Sequence, residues 1–231
     1  MKAQNYKNLW IASGIVLVIL FGISLWAWFQ IPAGTAVPIH FDINGNPDAY
    51  GNPFPALFLL PIVLTFTVGL IGLVPRVEPR QENFQMSSRA YRVTWASLLV
   101  FFLALHVVIV LATLGIGSAS LLGNLIPLGL GGLFMILGNM MGKVRSNFMF
   151  GIRTPWTLSS ELSWNKTHRL GGRIMMAVGF LTIVASFLIS LEWAFYILVG
   201  GLFLMLGVVV VYSWVIYKDD PEVIGLANGK R

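Results

Sequence analysis

Six stretches of this chain contain no Asp, Glu, Lys or Arg and are almost wholly apolar: residues 9–29, 55–74, 93–115, 120–141, 174–191 and 193–216. Each is close to the ~20 residues that a helix needs to cross a hydrocarbon core of roughly 30 Å. In lipid every backbone N–H and C=O must be satisfied within the segment, which selects helices for runs of this length. The expected fold is therefore an all-α integral membrane protein with six transmembrane helices. A mean hydropathy of +0.80 with only 10% charged residues excludes a soluble globule. A cleaved signal peptide competes for the first run, but that run is too long for an h-region and no small-x-small cleavage site follows it.

Charge placement orients the spans. The N-terminus, 75–92, 142–173 and 217–231 fall on one side and hold all fifteen Lys and Arg residues with six acids, a balance of +9. The other side holds only Asp42, Asp48 and Glu192. Short loops rich in Lys and Arg stay cytoplasmic, so both termini are expected inside. The net charge of +6 is thereby explained as a topogenic signal and as contact with anionic membrane lipids, and no nucleic acid is expected as a partner. The chain has no cysteine, which removes disulfides, thiol nucleophiles and thiolate metal sites. No cofactor is expected.

The outer loop, 30–55, is rich in Pro, Gly, Asn and Asp and predicts successive turns, with Asn44-Gly45 suited to positive φ. Asp42, Asn44, Asn46 and Asp48 invite a calcium reading. The glycine, however, falls at the fourth position of that series and no Glu stands at the twelfth, so no metal is expected. His40 beside Phe41 reads as a packed or hydrogen-bonded loop histidine. Within the spans, His106 reads as a hydrogen-bonding group between helices, since no span carries a carboxylate to complete a proton relay. Gly129, Gly131, Gly132, Gly138, Gly142, Gly200, Gly201 and Gly207 read as packing residues, with Gly138 and Gly142 at small-xxx-small spacing. Ser87 or Ser88 is a candidate cap for the third span, and the rest of 75–92 is assigned no chemistry.

The longest polar interval, from Gly138 to Gly172, holds Lys143, Arg145, Arg153, Lys166 and Arg169, with Arg173 just beyond. Thr154-Pro155 suits the start of a short interfacial helix over 154–170, on which Glu161, Trp164 and His168 share a face. Two readings stand. One is a surface helix anchored by Trp156, Trp164 and the basic residues. The other is a polar pocket of Asn147, Arg153, Thr154, Trp156 and Thr157, with Arg153 as a fork for an anion or carbonyl.

Gly138-Asn139, Asn147, FGIRTPWTL (150–158), Glu161, Trp164 and Thr167-His168-Arg169 followed by Gly172 resemble the signature of the SdpI family of bacterial membrane proteins. PIHFDINGNPDAYG (38–51) is similar to the N-terminal module of unknown function that often precedes that region. The division implied is a two-helix module over 1–74 and a four-helix SdpI-like region over 75–231. The resemblance implies a multi-pass immunity protein of the bacterial cell membrane that protects against a secreted peptide toxin. It also implies a signalling receptor that holds a cytoplasmic transcriptional repressor. On that reading the outer loop meets the toxin through His40, Phe41, Asp42, Asn44, Gly45, Asp48 and Tyr50. The cytoplasmic loop binds its ligand or partner through Asn139, Asn147, Gly151, Arg153, Thr154, Pro155, Trp156, Thr157, Glu161, Trp164 and His168. Neither role follows from composition or spacing.

Two rival classes remain. A solute or lipid transporter would want polar or broken spans at the midplane, whereas these are nearly unbroken, with Pro61 and Pro127 near their ends. A membrane enzyme acting on a lipid headgroup would use Asn147, Arg153, Glu161 and His168, with Glu161 and His168 as acid and base. Against it, no nucleophile–base pair or metal-ligand set of known spacing is present, so no catalytic residue is expected.

Overall fold

The computed structural model describes residues 6–43, 45–117 and 119–227. Six long helices correspond to the six apolar runs: α1 (Lys7–Gln30), α2 (Pro53–Val77), α4 (Ser88–Thr113), α5 (Ala119–Met141), α7 (Glu161–Leu188) and α8 (Leu191–Lys218). Three short helices join or follow them: α3 (Gln81–Met86), α6 (Pro155–Ser159) and α9 (Pro221–Ala227). Large apolar side chains such as Val18, Phe66, Leu70, Val100, Phe187 and Phe203 point outward, an arrangement that suits lipid and not water.

The helices form two groups that share α4. Leu20 of α1, Leu64 and Val68 of α2, and Tyr91, Trp95 and Leu99 of α4 make one buried cluster with Phe84 of α3. Trp95 Nε1 donates to Ser13 Oγ at 3.0 Å, tying α4 to α1. His106 is fully buried and meets Ser24 Oγ at 2.9 Å, the hydrogen bond across a helix interface expected of it. The second group packs α5 against both α4 and α7, and α7 against α8.

Glycines set the α5–α7 crossing. A Cβ on Gly138 would lie 2.6 Å from Gly172 O, and one on Gly131 would lie 2.8 Å from Gly179 O. The close register is thus seven residues long on each helix. Gly142, placed four residues from Gly138, has only an ordinary approach to the Arg169 side chain at 3.4 Å.

Two departures from expectation matter. The outer loop is not turns alone: β1 (Val37–Phe41) and β2 (Pro47–Gly51) pair antiparallel, with Val37 opposite Gly51 and Phe41 opposite Pro47. Alternating Val37, Ile39 and Phe41 gives β1 its strand character. The turn between them uses the expected chemistry, with Gly45 at φ +81° and the Asn46 N–H donating to Asp42 Oδ1 at 2.8 Å. Asn44 lies outside the described residues.

The second departure is α7. The helix expected over 154–170 breaks at Ser160, whose backbone is extended, and everything from Glu161 onward is continuous with the fifth span. Ser160 Oγ accepts from the Ser163 N–H at 2.9 Å, so a fresh N-cap starts a 28-residue helix there. At 1.5 Å per residue that helix is about 42 Å long, more than the ~30 Å hydrocarbon core. Its polar first turns, which carry Trp164 and His168, wall the central loop.

Candidate functional site

At the basic end of the bundle the loop 143–160 is locked onto the neighbouring helices, and a carboxylate from the 75–92 segment forms the lock. Glu78, the C-cap of α2, is 2% exposed. Its Oε2 accepts from the Phe148 N–H at 3.0 Å and the Met149 N–H at 2.9 Å, and its Oε1 from the Arg80 N–H at 2.8 Å. Asn147 is wholly buried and works from the loop side. Its Oδ1 accepts from the N–H groups of Met149 (3.0 Å) and Phe150 (2.6 Å), and its Nδ2 donates to Arg145 O at 2.8 Å. Arg80 lies 4.6 Å over the Phe148 ring and donates to Ser146 Oγ and to Leu158 O.

Ser87 occupies the N-cap position of α4, as anticipated, yet its hydroxyl does not cap that helix. Instead Ser87 Oγ accepts from the Arg145 N–H at 2.8 Å and donates to Asn83 O. The hydroxyl is spent on holding the central loop.

The FGIRTPWTL run turns back beneath α7. Gly151 has φ +120°, a region that L side chains rarely occupy, and a Cβ there would overlap the His168 imidazole. His168 is 1% exposed and stacks on Trp164 with ring centroids 4.0 Å apart. The Ile152 N–H donates to His168 Nε2 at 2.9 Å, and His168 Nδ1 lies 2.8 Å from Trp164 O. An N–H can only donate and a carbonyl can only accept, so the ring is neutral and protonated at Nδ1. Trp164 Nε1 donates to Val144 O at 2.8 Å, closing the clamp.

Thr154 and Thr157 form a reciprocal capping box around α6, with Pro155 at the first helical position. Thr154 Oγ1 reaches Ser213 Oγ of α8 at 3.0 Å, Ser163 Oγ donates to Ser213 O at 2.8 Å, and Ser160 Oγ donates to Asp220 Oδ2 at 2.5 Å. The loop is thus fastened to α8 as well as to α2, α3 and α4.

Asn147, Thr154, Thr157, Trp164 and His168 are therefore brought together in the buried interior of this latch. Arg153, Pro155, Glu161 and Asn139 are exposed, and Trp156 is half-buried. Arg153 donates to Phe148 O at 2.8 Å, spending part of its fork within the loop. Glu161 stands exposed on the first turn of α7 while both nitrogens of His168 are engaged by backbone, so the two do not form an acid–base pair. Glu78, Arg80, Ser146 and Asp220 were not anticipated. The one signal was an isolated acid set directly after a span between Pro75 and Pro79.

Gly151→Ala is expected to lower the melting temperature of the detergent-solubilised protein, because the new methyl must displace the His168 ring that holds Ile152. Overpacking and a disfavoured backbone each cost about 1–3 kcal/mol. Gly207→Ala, where a Cβ meets nothing within 4 Å, serves as the comparison. Equal melting temperatures for the two would contradict the geometry of the clamp.

At the opposite end the hairpin carries the remaining expected residues. His40 Nδ1 meets Asp48 Oδ1 at 2.5 Å on an exposed face. His40, Phe41, Asp42, Gly45 and Tyr50 border a cavity of about 850 Å³ between the hairpin and helices α4, α5 and α8. Of the two arrangements expected for the loop histidine at position 40, packed or hydrogen-bonded, the structure shows the second, exposed and paired with a carboxylate.

Residues 143–213 match the model of the SdpI/YfhL protein family, and residues 15–65 match a domain of unknown function, DUF1648. The chain is 26% identical over 208 residues to the immunity protein SdpI of Bacillus subtilis (strain 168), an alignment covering 90% of this chain and 95% of that protein. No solved structure matches the chain. The SdpI/YfhL match begins at Lys143 and ends at Ser213, the interval that holds the latch on α7 and its partner on α8.

Proposed function

Because an SdpI/YfhL region follows a DUF1648 domain in one six-span chain, we propose that this protein is a multi-pass membrane immunity protein giving resistance to a secreted antimicrobial peptide. The observation that carries this reading is the similarity to an immunity protein along 90% of the chain and 95% of the relative. The positive-inside rule turns the latch end toward the cytoplasm and the hairpin end outward, so a secreted peptide first meets Asp42, Asp48, Phe41 and Tyr50.

The latch supports a structural and signalling role in preference to chemistry, since the polar groups of Glu78, Asn147, Thr154, Thr157 and His168 are engaged by backbone and by one another. Arg153 and the neighbouring bases present a cationic surface on which a cytoplasmic transcriptional repressor is held. Anionic lipid headgroups are the other natural partner of that surface.

The test is survival. A host strain sensitive to a secreted killing peptide is given the wild-type protein, or Asp42→Asn/Asp48→Asn, at matched membrane levels. Wild type is expected to raise survival by tenfold or more, and the double variant to lose most of that gain. Unchanged killing with wild type in the membrane would sink the immunity reading.

A further inference from the structure

The void beneath the hairpin is built like a ligand site. Its volume, about 850 Å³, lies within the usual range of small-ligand cavities. Three helices supply apolar walls: Ile109 and Ala112 from α4, Ile126 and Leu130 from α5, and Phe195 and Leu198 from α8. The roof is different. It comes from the hairpin and includes His40, Asp42 and Tyr50, with Tyr50 61% exposed.

Charge says what belongs there. No Lys or Arg occurs between residues 8 and 75, 93 and 142, or 174 and 217, so this end of the molecule offers only Asp42, Asp48 and Glu192. An anionic headgroup or acidic peptide at the roof would meet the like charge of Asp42 and find no Lys or Arg to offset it. A neutral hydrocarbon would satisfy the walls and draw nothing from the acidic roof. A molecule with an apolar body and a cationic group satisfies both, because interfaces are arranged so that opposite potentials meet.

Resting on the immunity reading, we propose that this cavity binds a cationic, membrane-active peptide. Its apolar side chains lie between α4, α5 and α8, and its amino groups are held by Asp42 at the roof and by Asp48, which pairs with the roof residue His40 on the exposed face of the hairpin. The site joins the two matched regions, since the hairpin belongs to residues 15–65 and α8 to residues 143–213. The domain of unknown function thereby acquires a role as the roof that reads charge over a pocket that reads hydrophobicity.

The experiment uses the full chain in nanodiscs of zwitterionic phosphatidylcholine, which removes anionic lipid as a competing attraction. The probe is a fluorescently labelled amphipathic peptide of leucine and lysine, followed by anisotropy, with a leucine–glutamate peptide as its counterpart. Wild type is expected to bind the lysine peptide saturably above empty nanodiscs and to ignore the glutamate peptide. Ala112→Trp, which fills the cavity, is expected to weaken binding by tenfold or more. Asp42→Asn/Asp48→Asn is expected to do the same while keeping the side-chain oxygens that accept from Asn46 and His40.

Equal binding of the two peptides overturns the charge argument. Unchanged affinity in Ala112→Trp overturns the cavity, and is the outcome if a lipid acyl chain fills it instead. A chain that protects cells equally well with and without Ala112→Trp, and binds equally well, loses the cavity and keeps immunity. A wild type that binds the lysine peptide but protects no host loses immunity and keeps the site.

Discussion

Gly172→Leu is expected to leave little folded protein in the membrane. A Cβ at residue 172 would lie 2.5 Å from Gly138 O and 3.0 Å from the Met141 Cβ, and its counterpart on Gly138 would lie 2.9 Å from Met176 N. Most of these neighbours are backbone atoms, so no side-chain rotation relieves the overlap and the two helices must separate. Two turns along, Gly131 and Gly179 repeat the arrangement, so parting one pair strains the other. In lipid there is no hydrophobic drive to pull helices back together, and close packing is much of what holds them. Overpacking costs about 1–3 kcal/mol even where side chains can adjust, and here they cannot. The measurement is monodisperse yield and melting temperature after detergent extraction. Gly200→Ala, with nothing within 4 Å, and Gly142→Ala, facing only the flexible Arg169 chain, should behave as wild type. A normal yield and melting temperature for Gly172→Leu would mean that α5 and α7 do not touch at this point.

That crossing also shows how far the sequence could be read. The spans were legible because an uncharged run of membrane length has few alternatives in lipid, and five of the six helices begin within five residues of expectation. Glycine richness pointed to packing but not to the register, because Gly138 pairs with Gly172, a residue outside any apolar run. The fifth helix began thirteen residues early for a related reason. Glu161 to Arg173 is polar, and hydropathy places a boundary where lipid ends, whereas a helix ends where its capping and backbone say so. Ser160 and Ser163 supply that cap without any change in hydrophobicity.

The candidate site divides in the same way. Asn147, Gly151, Trp164 and His168 entered the candidate set through the resemblance across 138–172, and the structure gathers them. Their roles were not legible, since Asn147 and His168 bind backbone groups whose positions depend on the turn itself. Glu78 gave only one weak signal, an acid between two prolines directly after a span. An acid in a short mixed-charge loop is usually a solvated one, and only tertiary structure folds the N–H groups of residues 148 and 149 onto it.

Glu78→Ala should therefore open the latch while leaving the six spans in place. Three backbone N–H groups lose a charged acceptor, and hydrogen bonds to charged groups contribute about 1.5–3 kcal/mol each. The losses are unequal. The N–H of Phe148 has both of its recorded acceptors on Glu78, whereas Met149 keeps Asn147 Oδ1 and Phe150 relies on Asn147 throughout. Hydrogen exchange across residues 147–152 is expected to quicken roughly ten- to hundredfold at Phe148, at ~1.4 kcal/mol per tenfold. Met149 should change less and Phe150 least. Glu78→Gln, which retains one acceptor oxygen, should fall between Ala and wild type, and Glu82→Ala, on the exposed face of α3, should change nothing. Opening at Phe148 also removes the carbonyl on which Arg153 rests, so the cationic surface loses its fixed arrangement. If exchange at Phe148 is the same in Glu78→Ala as in wild type, the carboxylate does not hold the loop, and the order of Arg153 must come from the α6 capping box alone.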